Sequence, residues 1–294
     1  MADTGAIPAD KRLHLLSELR RGIQAGCALR KHPVPGLAEF LRAGSGALSG
    51  NDDAEKALLE NFETLLDSLS EFSDADREKI RDALETITRG QQSDIRRFGA
   101  APGRLTALAT DDDLDVYTYE VAGCVGEFWT RLCLAHVFPQ ASLDEKQLMA
   151  DAVRFGKGLQ LVNILRDLPE DLRNRRCYIP EQSLSRFGIA PADLLNPDSM
   201  HRFRPVYEGY LDIAEGHLCA GWRYTTALPF GCVRVRLACA WPILIGIETL
   251  RRLRGRNILG GPRVKITRRD IRRIFVKSVL LYPRRKAWNR LVAQ

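Results

Sequence analysis

Between Phe155 and Pro180 the chain reads F-G-K-G-L-Q-L-V-N-I-L-R-D-L-P-E-D-L-R-N-R-R-C-Y-I-P, with Asn163, Asp167 and Asp171 recurring every fourth residue. On an α-helix that spacing drifts by only about 40° per step, so two carboxylates and an amide share one face over roughly 12 Å. Such an all-oxygen set suits Mg²⁺, which completes its shell with water and substrate phosphate. Arg166, Arg173, Arg175 and Arg176 lie in the same segment, and planar guanidinium forks match phosphate oxygens. Metal-assisted chemistry on a diphosphate gives acids and bases one explanation. The competing explanation is a charged helix end held by internal i,i+4 pairs. Leu159, Val162, Ile164 and Leu165 fill the other directions, so burial on most sides is expected. Pro169 removes an amide between the aspartates and is expected to loosen or bend the helix from Leu165 to Pro169, which would aim Asp171.

The segment resembles the second aspartate-rich motif of the squalene/phytoene synthase family, Q-x-x-N-I-x-R-D-x-x-E-D followed by R-x-Y/F-x-P. Here it reads Q-L-V-N-I-L-R-D-L-P-E-D, starting at Gln160, and then R-C-Y-I-P. The resemblance implies that Asn163, Asp167 and Asp171 hold Mg²⁺. It further implies that Gln160 contacts substrate and that Arg166 and Arg176 take part in catalysis by neutralising the departing diphosphate.

A second segment, Asp115 to Arg131, reads D-V-Y-T-Y-E-V-A-G-C-V-G-E-F-W-T-R. Ala122, Gly123 and Gly126 run along one side, and small residues let a helix or a substrate chain approach the backbone closely. It is similar to the family's Y-x-x-Y-V-A-G-x-V-G. By that resemblance Tyr117 serves proton transfer and carbocation control, while Val121, Ala122 and Gly126 line a prenyl channel. Val233 to Leu250 resembles a C-terminal helix of squalene synthases, which gives Cys239 and Pro242 a pocket-lining role. A buried helix kinked by proline is the plainer alternative. Val264 to Ile274 also resembles the family's end region, so the likeness runs from residue 3 to about residue 280.

The elements that must position these residues are helical. Leu13, Leu16, Leu19 and Ile23 recur at helical spacing, and Gly44 to Asn51 forms a Gly/Ser-rich loop before a helix expected over Asp53 to Leu69. Asp74 is expected to cap the next helix, which continues through Ile80, Leu84 and Ile87. Ala100 to Thr110 is expected to be irregular, with a helix from near Asp113. Asp144 to Arg166, His201 to Thr226, Val233 to Leu253 and Thr267 to Leu281 keep the period, and no strand-type alternation is sustained. The expectation is an all-α fold: residues 1–294 as one domain, a helical bundle of isoprenoid-synthase type around a central cavity.

Composition bounds the function classes. With 294 residues and 45% hydrophobic content the chain can bury a large core. Seven cysteines form no C-x-x-C pair, five histidines form no H-E-x-x-H, and the odd count suits a reducing compartment. The longest apolar run, Leu237 to Ile247, has about half the length a bilayer needs. A cytoplasmic protein is expected, compatible with peripheral association at the inner face of a membrane. The formal charge of +7 is concentrated between Arg251 and Arg290. Basic residues there alternate with Ile271, Ile274 and Val276, which favours a solvated or lipid-facing helix over nucleic-acid binding. The oligomeric state is not legible.

In the family a first motif, D-T-x-x-D, faces the second from another helix. Alignment through Ala6-Ile7-Pro8-Ala9-Asp10-Lys11 places Asp3 on its second aspartate, as a further metal ligand. The first aspartate and an upstream S-R-x-F segment are absent. The expectation is a misplaced start codon at Met1, or else a truncation that leaves the cavity open on one side and the metal site half built. The resemblance implies head-to-head condensation of two prenyl diphosphates, preferably two farnesyl diphosphates to presqualene diphosphate or squalene, the last requiring NADPH. Condensation of two geranylgeranyl diphosphates to phytoene, or an inactive family member acting as a scaffold, are the alternatives.

Overall fold

A computed structural model describes residues 8–28, 61–99 and 103–292. Asp3, the loop Gly44 to Asn51 and most of the helix expected from Asp53 lie outside these residues. The chain divides into two compact units, on either side of the Pro102–Gly103 bond.

In the first unit α1 (Ala9–Cys27) packs on α3 (Asp74–Gly99), with α2 (Phe62–Asp67) and a 3₁₀ turn (Ser68–Glu71) between them in sequence. Leu15, Leu16 and Ile23 are the buried apolar residues of α1. Ser73, not Asp74, caps α3: its hydroxyl accepts from the Asp76 amide at 3.2 Å, while Asp74 already lies in the first turn.

The second unit holds both motif segments. A two-residue strand β1 (Thr106–Ala107) leads through a Thr110/Asp113 capping box into α4 (Asp111–Thr118), a π turn (Tyr119–Gly123) and α5 (Cys124–His136). The helix thus starts at Asp111. Asp144 caps α6 (Glu145–Arg173), which is followed by β2 (Arg176–Cys177) and α7 (Glu181–Ser185). Two 3₁₀ turns then precede α8 (Met200–Ala227), α9 (Val233–Leu253), α10 (Arg268–Leu281) and the short α11 (Arg285–Asn289). The architecture is all-α. Among the described residues the one ladder is the parallel pair β1–β2.

The unit is built around α6. Leu161, Val162, Ile164, Leu165, Leu168 and Leu172 are buried against α8 on one side and α5 with the π turn on another. At Gly126 an added Cβ would run into the Ala152 carbonyl, and at Gly156 into the Ala122 carbonyl, so α5 and α6 touch backbone to backbone. The helix continues without a break through Pro169 to Arg173. Proline cannot donate to the Leu165 carbonyl four residues back. The buried Tyr207 hydroxyl of α8 donates to that carbonyl instead, at 3.0 Å.

Candidate active site

Because α6 is continuous over residues 145–173, Asn163, Asp167 and Asp171 all lie on one helix at i, i+4 and i+8, on a common face. Asn163 is exposed, while Asp167 and Asp171 are half-buried. Asp167 is gripped by two guanidinium groups. Arg166 Nε and Nη2 reach its two oxygens at 2.8 and 2.6 Å. Arg263, from the Gly-Pro loop after α9, approaches from outside the helix with Nε at 3.0 Å and Nη2 at 2.7 Å. Its Nη1 also lies 3.3 Å from Glu170. Burial opposes ionisation of Asp167, but Arg166 and Arg263 outweigh it and hold the carboxyl below its ordinary value. Arg263 was not visible in the motif spacing, because it reaches Asp167 across 96 residues of sequence.

The other wall of the site is an open cavity of ≈ 370 Å³ between α5, α6, α8 and α9. Val121, Ala122 and Gly126 line it from the π turn and α5, Gln160 and Asn163 from α6, and Cys239 from α9. Trp129, Phe155 and Tyr224 add aromatic surface. Six of the residues expected at the site therefore share one cavity, and Asn163 belongs both to its wall and to the oxygen-bearing face of α6. Burial pushes the Cys239 thiol up to about 12, with Cys133 adding to it, so this wall is uncharged at neutral pH. The π turn places Val121 and Ala122 at the cavity, and nothing in the residue pattern announced it.

Pro242, Tyr117 and Arg176 are not on the cavity wall. Pro242 lies inside α9, three residues beyond Cys239, and is half-buried. Tyr117, on α4, stacks on Tyr178 of the R-C-Y-I-P segment with centroids 4.8 Å apart. Arg176 is half-buried in β2, where Thr106↔Arg176 and Ala107↔Cys177 pair. Leu108 then donates its amide to the Cys177 carbonyl at 3.0 Å, and the Glu181 amide returns to Leu108 at 2.8 Å. Through this zipper the tail of the aspartate motif is tied to the entry of the tyrosine-bearing helix. Arg175, at the turn out of α6, has φ 62°, a left-handed conformation costly for a side chain with a Cβ.

Two hard carboxylates and an amide, with one carboxyl held ionised, fit a magnesium ion. Among the described residues no three His, Cys, Asp or Glu side chains converge on one point. Bound there, an ion would take only part of its shell from this face and the rest from water and substrate oxygens.

A sequence model of squalene/phytoene synthases matches residues 1–270. The chain belongs to the squalene/phytoene synthase family. A 15-cis-phytoene synthase of Synechocystis is 30% identical over 170 residues, covering 55% of this chain and 44% of that protein. Squalene synthase ERG9 of Saccharomyces cerevisiae is 30% identical over 148 residues, covering 50% of this chain and 32% of that protein. The matches thus span less than half the length of either relative. Among solved structures, TcSQS in complex with a ligand superposes with a TM-score of 0.68 over 99% of this chain and 84% of that one, at 18% identity. That likeness establishes the family's all-α fold. No helix among the described residues is long and apolar enough to cross a membrane, and all seven cysteines are free thiols.

Proposed function

We propose that this squalene/phytoene synthase family member condenses two prenyl diphosphates head to head, with two farnesyl diphosphates as the preferred pair. The observation that carries the reading is the shared position of Asn163. The apolar cavity, sized in hundreds of cubic ångströms as ligand sites are, ends at the first residue of the Asn163, Asp167 and Asp171 face. A lipid chain with a diphosphate head needs that junction of greasy wall and hard oxygen donors.

In this reading Asn163, Asp167 and Asp171 would hold Mg²⁺, with Asp3 assigned to the same ion by the sequence motif. The ion supplies positive charge that stabilises a departing diphosphate. Arg166 and Arg176 neutralise the rest of the diphosphate's charge, and Arg263 shares Asp167 with Arg166. Val121, Ala122, Gly126 and Phe155 exclude water from the allylic cation, and the rings of Trp129 and Tyr224 present electron-rich faces to it. Gln160 orients the chain near its head. Tyr117, stacked on Tyr178, helps remove the proton lost when the second prenyl double bond is alkylated and a cyclopropane closes. Presqualene diphosphate is then the product. Its reduction to squalene additionally needs NADPH as hydride donor.

The similarity to a phytoene synthase supports the C20 reading as the alternative. Mass analysis of products from farnesyl and geranylgeranyl diphosphate, with and without NADPH, distinguishes the two. Presqualene diphosphate from the C15 substrate is expected. Phytoene from the C20 substrate alone would transfer the assignment, and no product from either would support a non-catalytic scaffold.

A further inference from the structure

Nine of the chain's 44 Lys and Arg, but only one of its 37 Asp and Glu, fall between Arg268 and Gln294. This stretch carries a formal charge of +8, and everything before it sums to −1. The single acid, Asp270, is turned inward: Arg252 holds it at 2.7 Å and Thr267 uses it in a capping box. The outer face of α10 is therefore cationic along its whole length.

That face is also greasy. At about 100° per residue, Val276, Val279 and Leu280 fall within an arc of about 100°. Arg269 and Arg272 are interleaved with them, and Arg268, Arg273 and Lys277 flank them. Val276 and Val279 are each 49% exposed and Leu280 70%. A single exposed leucine needs no explanation, but three apolar side chains on adjoining turns inside an arginine field do. They are not there to pack the fold. The inner side of the helix already does so, with Phe275 stacked on Trp241 at 4.4 Å and Trp241 Nε1 donating to Ser278 at 3.0 Å. Beyond the helix, Tyr282 stacks on Phe230 and Trp288 on Trp222, which fixes the face to the body of the unit.

A cavity of ≈ 260 Å³ opens between α9 and α10 at the edge of this face. Arg251, Arg273 and Lys277 line it together with Leu244, Ile247 and Ile274. Its one acid, Glu248, is engaged by Arg252 at 3.0 Å. Three cations over apolar walls match the phosphate and first acyl carbons of an anionic phospholipid.

We propose that the outer face of α10 docks on an anionic lipid surface: Val276, Val279 and Leu280 enter the head-group boundary, the flanking arginines pair with phosphates, and the α9–α10 cavity receives one head group. Interfacial helices have this composition, with apolar residues below and long cationic side chains reaching up to the phosphates. Nucleic-acid binding would use the same charges but would have no use for the exposed apolar stripe. The proposal does not depend on the catalytic reading, and a chain without turnover would leave it intact.

The test is flotation of the full chain with vesicles of phosphatidylcholine alone or with 30% phosphatidylglycerol. At ~0.1 M salt, binding to the anionic vesicles should exceed binding to neutral ones by at least about tenfold. Leu280→Ser combined with Val276→Ser should weaken it several-fold with no change in thermal midpoint, since both side chains are exposed. Leu280→Trp should strengthen it and give an indole emission that shifts to the blue on binding. Arg269→Glu with Arg272→Glu should abolish it. Equal binding to neutral vesicles, no binding, or indifference to the Leu280 variants overturns the proposal. So does tighter, Leu280-independent binding to a duplex DNA of matched charge, which would assign the face to nucleic acid.

Discussion

The Tyr207 hydroxyl donates to the Leu165 carbonyl at 3.0 Å, opposite the amide that Pro169 does not have. A proline inside a helix normally leaves the carbonyl four residues back without a partner. Here a side chain from α8 supplies the bond, and the helix runs on without a break through Asp167 and Asp171. Tyr207→Phe removes the donor while keeping the packing. A buried carbonyl left unsatisfied costs about 1–3 kcal/mol, so denaturant unfolding should show a loss of that size. An unchanged midpoint would mean that Pro169 needs no support.

The backbone contact between α5 and α6 is equally specific. Gly126→Ala or Gly156→Ala places a methyl group against a carbonyl that cannot move independently of its helix. Overpacking of this kind costs typically 1–3 kcal/mol. Each variant should lower the thermal midpoint, and since both glycines line the cavity, each should also reduce substrate binding measured by calorimetry with farnesyl diphosphate.

The imidazole of His217 is pushed down to about 4 by burial, with the charges of Arg154 and Lys157 adding and Asp115 opposing. Arg154 Nε donates to its Nδ1 at 3.3 Å, a bond that only neutral histidine accepts. Because the folded value lies below the ordinary 6.5, the unfolded chain takes up the proton first as pH falls. The group's contribution is complete above pH 6.5 and is lost between 6.5 and 4. For an imidazole that keeps contact with solvent the loss is about 1 kcal/mol. Stability measured across this window should decline in the wild type, and His217→Gln should remove that part of the decline.

In the proposed function, cavity volume selects between C15 and C20 chains. Val121→Phe adds bulk to a space of ≈ 370 Å³, and should reduce kcat/KM for geranylgeranyl diphosphate by about tenfold more than for farnesyl diphosphate, a difference of about 1.4 kcal/mol. Parallel steady-state measurements with the two substrates check it. Equal losses would mean that Val121 stands outside the chain-length-sensing region.

Much of this was legible in the sequence where local chemistry decides. The limits of α9, Val233–Leu253, are those the helical period implies. The i, i+4, i+8 face on α6 needed only continuous helix. The capping of α3 was misplaced by one residue because Ser73 and Asp74 are both good caps, and only the hydrogen bond selects between them. Three features had no local signal: Arg263 reaching Asp167, Tyr207 replacing the Pro169 amide, and the two-residue β1–β2 ladder. Each pairs residues more than forty positions apart, and a two-residue strand is too short to show alternation.

The proposed function requires Asp167 to act in chemistry and not only in an ion pair. Its contacts with Arg166 and Arg263 are partly open to solvent, so Asp167→Asn should change stability by no more than about 1 kcal/mol. The decisive measurement is release of inorganic diphosphate from farnesyl diphosphate in Mg²⁺ by wild type and Asp167→Asn, at matched folded fraction. Release should fall roughly a hundredfold or more in the variant if Asp167 holds the ion. Equal release by the two proteins would contradict it.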